Sequence, residues 1–378
     1  MKPQLSRRAV VHIAASLMAA ERAHLGTGSA WEAAGWTEAT SLQQDGLALD
    51  SLEKLACCEV VGRFFRLHET GPENRLLQHT TLGGWASAIL ASFTGPVDGF
   101  TFATSGTTGA PKLCRLAMAP LHEEACYWRA ELTGARRVVR LVPPHHIYGF
   151  LFTALLPDIA ALPVLDARML PATALGALLC EGDVVVGFPT ALAALARAGA
   201  RLPAGLRILS ATSALSADTH AALLQAGAGQ VTDIYGSTET GGIAARHAPG
   251  DPFALLPWWR RGAAGELIHR HTGTPAPLPD HVEWLGDRHL RPASRLDGAV
   301  QVAGVNVYPA RVAQIMCGHE LVQACTVRLD ASLPEPRLRA QVVPVAGSDP
   351  VVVALACERW ARRRFSAPER PVVFDIVE

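Results

Sequence analysis

Through the middle of the chain, short apolar runs alternate with helical segments. Val138-Val139-Arg140-Leu141-Val142, Asp183-Val184-Val185-Val186, Leu206-Arg207-Ile208-Leu209 and Val231-Thr232-Asp233-Ile234 read as strands. Gly99-Phe100-Thr101-Phe102-Ala103 reads as an earlier strand, and the alanine-rich stretch 190–199 as a helix. This alternation predicts an α/β fold with a mostly parallel, doubly covered sheet. Ligands of such sheets bind at loops beyond the strand C-termini. The first 93 residues read differently. An apolar stretch over 9–20 has His12 and Glu21 on a polar side, a second amphipathic segment runs from Asp50 to Phe64-Phe65, and a short helix begins near Trp85. No uninterrupted apolar run reaches the ~18 residues of a membrane span. The nearest, 147–165, is broken by Pro157, Asp158 and Pro163.

A length of 378 residues supports two or three domains. The 34 basic side chains balance 34 acidic ones, so no basic footprint points to nucleic acid. The 8 cysteines form no Cys-x-x-Cys pair, and adjacent Cys57 and Cys58 cannot make a normal metal clamp. They read as free thiols of a reducing compartment.

The chemistry starts at residues 104–112, Thr-Ser-Gly-Thr-Thr-Gly-Ala-Pro-Lys. Glycine permits the positive φ angles with which a loop curls its N–H groups around a phosphate. The hydroxyls add donors and Lys112 adds a point charge. The spacing is not that of a Walker A loop, and Leu113 follows the lysine where that loop has Ser or Thr. Further along come Ile234-Tyr235-Gly236-Ser237-Thr238-Glu239, then Leu285-Gly286-Asp287-Arg288, then Ser294-Arg295-Leu296-Asp297-Gly298, then Val302-Ala303-Gly304-Val305-Asn306-Val307-Tyr308-Pro309.

In this order the segments resemble the adenylate-forming superfamily of acyl-CoA synthetases, peptide-synthetase adenylation domains and luciferases. The resemblance implies a phosphate loop of Thr104, Ser105, Gly106, Thr107, Thr108 and Gly109, with Lys112 catalytic. It implies that Tyr235 flanks the adenine, that Gly236 and Ser237 lie along the nucleotide, that Thr238 donates to the AMP phosphate and that Glu239 holds Mg²⁺. Asp287 would bind the ribose hydroxyls, Arg295 would be a second ribose contact, and Asp297 would sit at a domain hinge. The step from Asp287 to Arg295 is shorter than usual, so the hairpin between them looks trimmed. Pro143-Pro144-His145-His146-Ile147-Tyr148-Gly149-Phe150 resembles the family's acyl-pocket element. By that resemblance His146 and Tyr148 line a pocket suited to a flat aryl acid.

Asp50-Ser51-Leu52-Glu53, the segment to Phe65 and Thr80-Thr81-Leu82-Gly83-Gly84-Trp85 follow the order of an acyl carrier protein. That likeness makes Ser51 a candidate attachment site for phosphopantetheine. The plainer reading of Asp50-Ser51 is a helix cap. Ser6-Arg7-Arg8 ahead of 9–20 fits a short secretion signal, even a twin-arginine one, or a first helix. The helix is preferred, because an ATP-consuming ligase belongs in the cytoplasm.

Typical relatives end in a glycine-rich loop bearing a catalytic lysine. The chain stops at Val373-Phe374-Asp375-Ile376-Val377-Glu378, and its lysines are Lys2, Lys54 and Lys112. Arg362, Arg363 and Arg364 are either substitutes or a solvated helix face. The expected organisation is a helical carrier-like domain at 1–93, an adenylation core at 94–297 and a shortened α+β C-terminal domain at 298–378 without the lysine loop. The whole resembles short aryl-acid ligases found with aryl polyene pigment and phenazine-type pathways. These activate an aryl acid such as a hydroxybenzoate with ATP and Mg²⁺ and pass it to the phosphopantetheine thiol of an acyl carrier protein. Two alternatives stay open: an aryl-CoA ligase using free CoA, and an impaired adenylate- and carrier-binding module.

Overall fold

The computed structural model describes residues 5–30, 32–69, 73–95, 97–104, 112–296, 298–302, 305–333 and 336–377. Contacts divide them into two compact units. The first takes in the chain to Thr104, then Leu113–Ala211 and Leu215–Asp251. The second takes in Lys112, Thr212–Ala214 and Pro252 onwards.

The first unit opens with helices α1 (Arg7–Leu25), α2 (Ser51–Phe64) and α3 (Leu82–Ser92). Strands β1 (Gly99–Thr104) and β2 (Lys112–Ala117) follow, then α4 (Met118–Glu131) and β3 (Arg137–Arg140). Next come α5 (Ile147–Phe150), a π-helical stretch Leu151–Leu155 and α6 (Leu156–Ala160). The unit continues through β4 (Val164–Asp166), α7 (Ala172–Leu178), β5 (Asp183–Gly187), α8 (Pro189–Arg197), β6 (Arg207–Ser210), α9 (Ala217–Gln225), β7 (Gln230–Ser237) and β8 (Gly241–Arg246). The sheet order is β8-β7-β6-β5-β3-β4. Strands β4, β3, β5, β6 and β7 pair in parallel, and β8 returns antiparallel to β7. Every residue of central β5 is buried, as its β-branched run requires of a strand covered on both faces. Arg137 ties β3 to β5 with two bonds to Asp183, at 2.9 and 2.6 Å. Leu175, Leu192, Leu195 and Leu223 of α7, α8 and α9 pack on Val139, Val185, Ile208 and Val231.

Local signals explain the N-terminal helices. Ser6 caps α1 by accepting from the Ala9 N–H, and Gly26 ends it in the left-handed region. Asp50 accepts from Leu52 and Glu53, while Glu53 reaches back to the Asp50 N–H, so Asp-Ser-Leu-Glu is a capping box. These helices share their core with the sheet. Phe64 of α2 lies 5.6 and 5.2 Å from Phe100 and Phe102 of β1, and Phe150 lies 4.8 Å from Phe100. Arg8 donates to the Val164 carbonyl at 2.8 Å, and the Ser6 N–H donates to Asp158 at 2.6 Å. Ser6-Arg7-Arg8 is therefore the cap and first turn of a helix bonded into the first unit. The expected boundary after residue 93 falls within that unit.

The second unit contains β9 (Phe253–Leu255), β10 (Trp259–Arg261), β11 (Leu267–His269), β12 (Pro275–Ala276), β13 (Asp280–Trp284) and β14 (His289–Arg295). It continues with β15 (Val300–Val302), β16 (Val305–Val307), α10 (Pro309–Met316), β17 (Val322–Asp330), β18 (Arg337–Pro344), α11 (Pro350–Arg364) and β19 (Val373–Ile376). Strands β13, β14 and β9 are neighbours, as are β10, β11 and β12. Strands β17, β18 and β19 carry α10 and α11 around a core of Val312, Met316, Leu338, Val342, Val353 and Cys357. Arg339 bridges Asp330 at 2.7 Å and Asp375 at 2.9 Å, joining three strands. Within α11, Arg362 pairs with Glu358 at 2.6 Å and Arg364 lies 4.3 Å over the Trp360 ring. All 8 cysteines are free thiols.

Candidate active site

Strands β7 and β8 meet in a tight hairpin that places Thr238 and Glu239 at its turn. Ser237 pairs with Gly241 and Gly236 with Gly242, after a break in register beyond Tyr235. The Thr240 hydroxyl accepts from the Ser237 N–H at 3.2 Å and lies 3.0 Å from the Ser237 hydroxyl. Thr238, Glu239 and Tyr235 are half-buried. Two elements brace the turn. Cys114 on β2, two residues beyond Lys112, has its thiol 3.5 Å from the Thr238 carbonyl. Glu124 on α4 accepts the Gly242 N–H, its oxygens 3.1 and 3.0 Å away. Sequence reasoning missed Glu124, whose partner lies 118 positions away in the chain. Burial pushes its pKa up to about 7, against the pull of the Gly242 N–H and the Trp128 indole. Thr104 ends β1, and Lys112 opens β2 as an exposed side chain. Ser105, Gly106, Thr107, Thr108 and Gly109 lie outside the described residues, as does Asp297.

The acid-pocket segment follows β3. His146 begins α5, and the Nδ1 of His145 lies 2.9 Å from the Ser16 hydroxyl of α1, with the two imidazole rings 4.3 Å apart. Burial lowers the pKa of His146 to about 4 and that of His145 well below the usual value. His146 nevertheless keeps an exposed surface. It is neutral at physiological pH. Tyr148 is buried, and its hydroxyl donates to the Leu209 carbonyl at 2.8 Å, leaving only its ring for a ligand.

In the second unit the structure separates the two residues expected at the ribose. Asp287 is exposed and follows Gly286 in the turn between β13 and β14, while Arg295 is the last residue of β14. A strand of that length places them roughly 20 Å apart. The carboxylate opposite Arg295 is Asp280, its register partner across the hairpin, beside a bulge at His281. Asp280 is buried, and bulges commonly re-aim side chains next to sites. The hairpin is not trimmed between the two motif residues: Gly286-Asp287 is its turn, and its base lies at Asp280 and Arg295.

Residues 100–278 match the AMP-binding enzyme family. A 4-coumarate–CoA ligase of Halorhodospira halophila is 36% identical to the chain over 87% of it and 85% of that protein. The chain belongs to the AMP-binding, adenylate-forming family. A 4-coumarate–CoA ligase of Cereibacter sphaeroides is 34% identical across 97% of the chain and 92% of its own length. Solved structures share the fold. A malonyl-CoA ligase with methylmalonyl-CoA and AMP gives a TM-score of 0.62 at 20% identity, over 74% of this chain and 72% of that one. The amide bond synthetase McbA of Marinactinospora thermotolerans gives 0.60 at 17% identity, over 97% and 90%.

An adenylate-forming enzyme activates an acid with ATP, and this donor set can be tested against ATP and Mg²⁺. Among the described residues no group of three or more His, Cys, Asp or Glu side chains could hold a metal ion. Mg²⁺ is usually bound by one or two carboxylates together with substrate phosphates rather than by a protein cage. Glu239, on a turn braced by Thr240, Cys114 and Glu124, would be the carboxylate to hold it. No helix among the described residues is long and apolar enough to cross a membrane.

Proposed function

We propose that the protein activates an aryl carboxylic acid as its acyl-adenylate and transfers the acyl group to the thiol of CoA. The observation that carries this is the braced β7–β8 turn, with Thr238 and Glu239 tied through Cys114 to the strand that begins at Lys112. Lys112 and Thr238 would neutralise phosphate charge and Glu239 would hold Mg²⁺; within the second unit the register pair Asp280 and Arg295 is the candidate ribose contact. The acid's carboxylate attacks the α-phosphorus, and the bond to pyrophosphate breaks. The thiol then attacks the acyl carbon, and AMP leaves with the bonding pair. The protein's contribution is placement and charge neutralisation. The neutral ring of His146 and the ring of Tyr148 favour a flat, apolar acid, and the 4-coumarate–CoA ligases it resembles make hydroxycinnamates the first acids to try, with hydroxybenzoates next. A site that consumes ATP and carries 8 free thiols suits the cytoplasm.

The test is acid-dependent pyrophosphate release with hydroxycinnamates, hydroxybenzoates and fatty acids, then CoA or a pantetheinylated carrier as acceptor. Absence of release with every acid, from folded protein that binds AMP, overturns the enzymatic reading and leaves an adenylate-binding module.

A second acceptor is favoured by one observation. Ser51 is exposed at the start of α2, and Leu52 beside it is 76% exposed, so the hydroxyl is open to a phosphopantetheinyl transferase. In that reading the acyl group goes to the phosphopantetheine thiol of an acyl carrier protein, as in aryl polyene or phenazine-type pathways. Co-expression with a promiscuous transferase followed by intact-protein mass spectrometry decides it: one added pantetheine mass, lost in Ser51→Ala, supports a carrier role for this segment.

A further inference from the structure

Glu124 combines near-complete burial, at 3% exposure, with a direct bond from its carboxylate to the backbone of the Thr238–Glu239 hairpin. We propose that Glu124 is a positioning residue for adenylation, its carboxylate holding the Gly242 N–H and thereby fixing the stance of Thr238 and Glu239. This rests on the reading of that hairpin as the ATP-facing element.

The hairpin is shaped around this carboxylate. Gly241 has φ +67°, a conformation few side chains adopt, and a Cβ there would stand 2.5 Å from Glu124 Oε2. The glycine thus lets the backbone turn and lets the carboxylate reach the next N–H. Helix α4 follows β2 directly, so the chain leaving Lys112 braces the hairpin twice, first through Cys114 and then through Glu124. A shift of the phosphate loop's exit strand would be passed to Thr238 and Glu239 through both bonds.

A neutral acceptor would satisfy one N–H without the desolvation cost of a carboxylate. A carboxylate holds the N–H more tightly, because hydrogen bonds to a charged acceptor are shorter and stronger. The influences on its charge are burial, the Gly242 N–H from β8 and the Trp128 indole from its own helix; no charged side chain acts on it. Leu151 from the π-helical stretch closes the same space. Nothing basic therefore locks Glu124 in its ionised form, and its grip on the hairpin weakens as pH falls through neutrality.

The experiment compares wild type, Glu124→Gln and Glu124→Ala in the full chain. Hydrogen–deuterium exchange of the 236–244 segment reads the hairpin without needing activity. Pyrophosphate release with a hydroxycinnamate, varying MgATP and acid separately, reads the consequence. Glu124→Ala is expected to speed exchange and lower kcat about 10- to 100-fold, as a misplaced catalytic group does, with the KM for the acid changed less than about threefold. Glu124→Gln keeps an acceptor oxygen at every pH. It should restore most of the protection and abolish the decline in wild-type activity as pH falls below about 7. Unchanged exchange and kcat in Glu124→Ala overturn the proposal. So does an acid limb that persists in Glu124→Gln. If Glu124→Ala does not fold, the Gln variant's exchange and pH profile decide alone. If wild type releases no pyrophosphate with any acid, the functional reading fails, and exchange still reports whether Glu124 holds the hairpin.

Discussion

Asp280 and Arg295 face each other in register across the β13–β14 hairpin, while Asp287 occupies the turn at its far end. The register pair is close enough to share one small ligand, whereas Asp287 and Arg295 stand at opposite ends of β14. A carboxylate that accepts from both ribose hydroxyls contributes at least one charge-assisted hydrogen bond, worth about 1.5–3 kcal/mol. Asp280→Asn is therefore expected to raise the KM for ATP by about tenfold or more, and Asp287→Asn to leave it within about twofold. Steady-state kinetics on both variants check this, and the reverse ranking would restore Asp287 to the ribose.

Glu239→Gln removes the proposed Mg²⁺ ligand but keeps the size of the side chain. Turnover should fall by orders of magnitude, with the melting temperature changed far less than turnover, because Thr240, Cys114 and Glu124 also hold the hairpin. Lys112→Ala should be damaging too. The lysine's charge would act on the phosphate oxygens, so kcat/KM for ATP should drop at least about tenfold in steady-state kinetics. Near wild-type activity in Glu239→Gln would show that the hairpin motif has been misread.

With its pKa lowered to about 4, His146 stays neutral above about pH 5 and offers no positive charge to an acid. The KM for the acid should show no limb near the ordinary histidine pKa of about 6.5. His146→Ala should raise that KM several-fold by removing apolar contact while sparing the KM for ATP. A limb near 6.5 that disappears in His146→Ala would instead give the ring a charge-dependent role.

Legibility in the sequence followed the range of the signal. Strands β3, β5, β6 and β7 were readable because a doubly covered strand needs an unbroken β-branched run, and Val184-Val185-Val186 is one. The Ile234–Glu239 motif was readable because its residues are contiguous, while the hairpin that carries it was not. What escaped depends on partners distant in the chain. Glu124 meets Gly242 across 118 positions, and no local pattern marks that contact. The pairing of Asp280 with Arg295 was hidden because only register tells a hairpin's tip from its base. Contacts across the expected boundary after residue 93 were hidden for a similar reason. Phe64, Phe100 and Phe150 form one aromatic cluster from three separate segments, so α2 cannot be detached from the sheet without exposing it.

The buried carboxyl of Glu124 has a consequence for stability whose sign is fixed. Its pKa rises from 4.5 to about 7 on folding, so between those values the folded protein binds a proton that the unfolded chain does not. Stability contributed by this group is present below about pH 4.5, is lost as pH rises through about 7, and is flat above. The amount is roughly 3 kcal/mol, from about 1.4 kcal/mol per pH unit across the window. Glu124→Gln carries no ionisation and escapes the loss. Its melting temperature relative to wild type should therefore climb between pH 5 and pH 7, most steeply near pH 6, and level off above neutrality. A constant difference across that range would mean that Glu124 does not titrate there, and the decline in activity below neutral pH would then need another group. A rising difference, with wild type the faster enzyme at pH 8, would show a chain that accepts lower stability at working pH in return for a charged anchor under its catalytic hairpin.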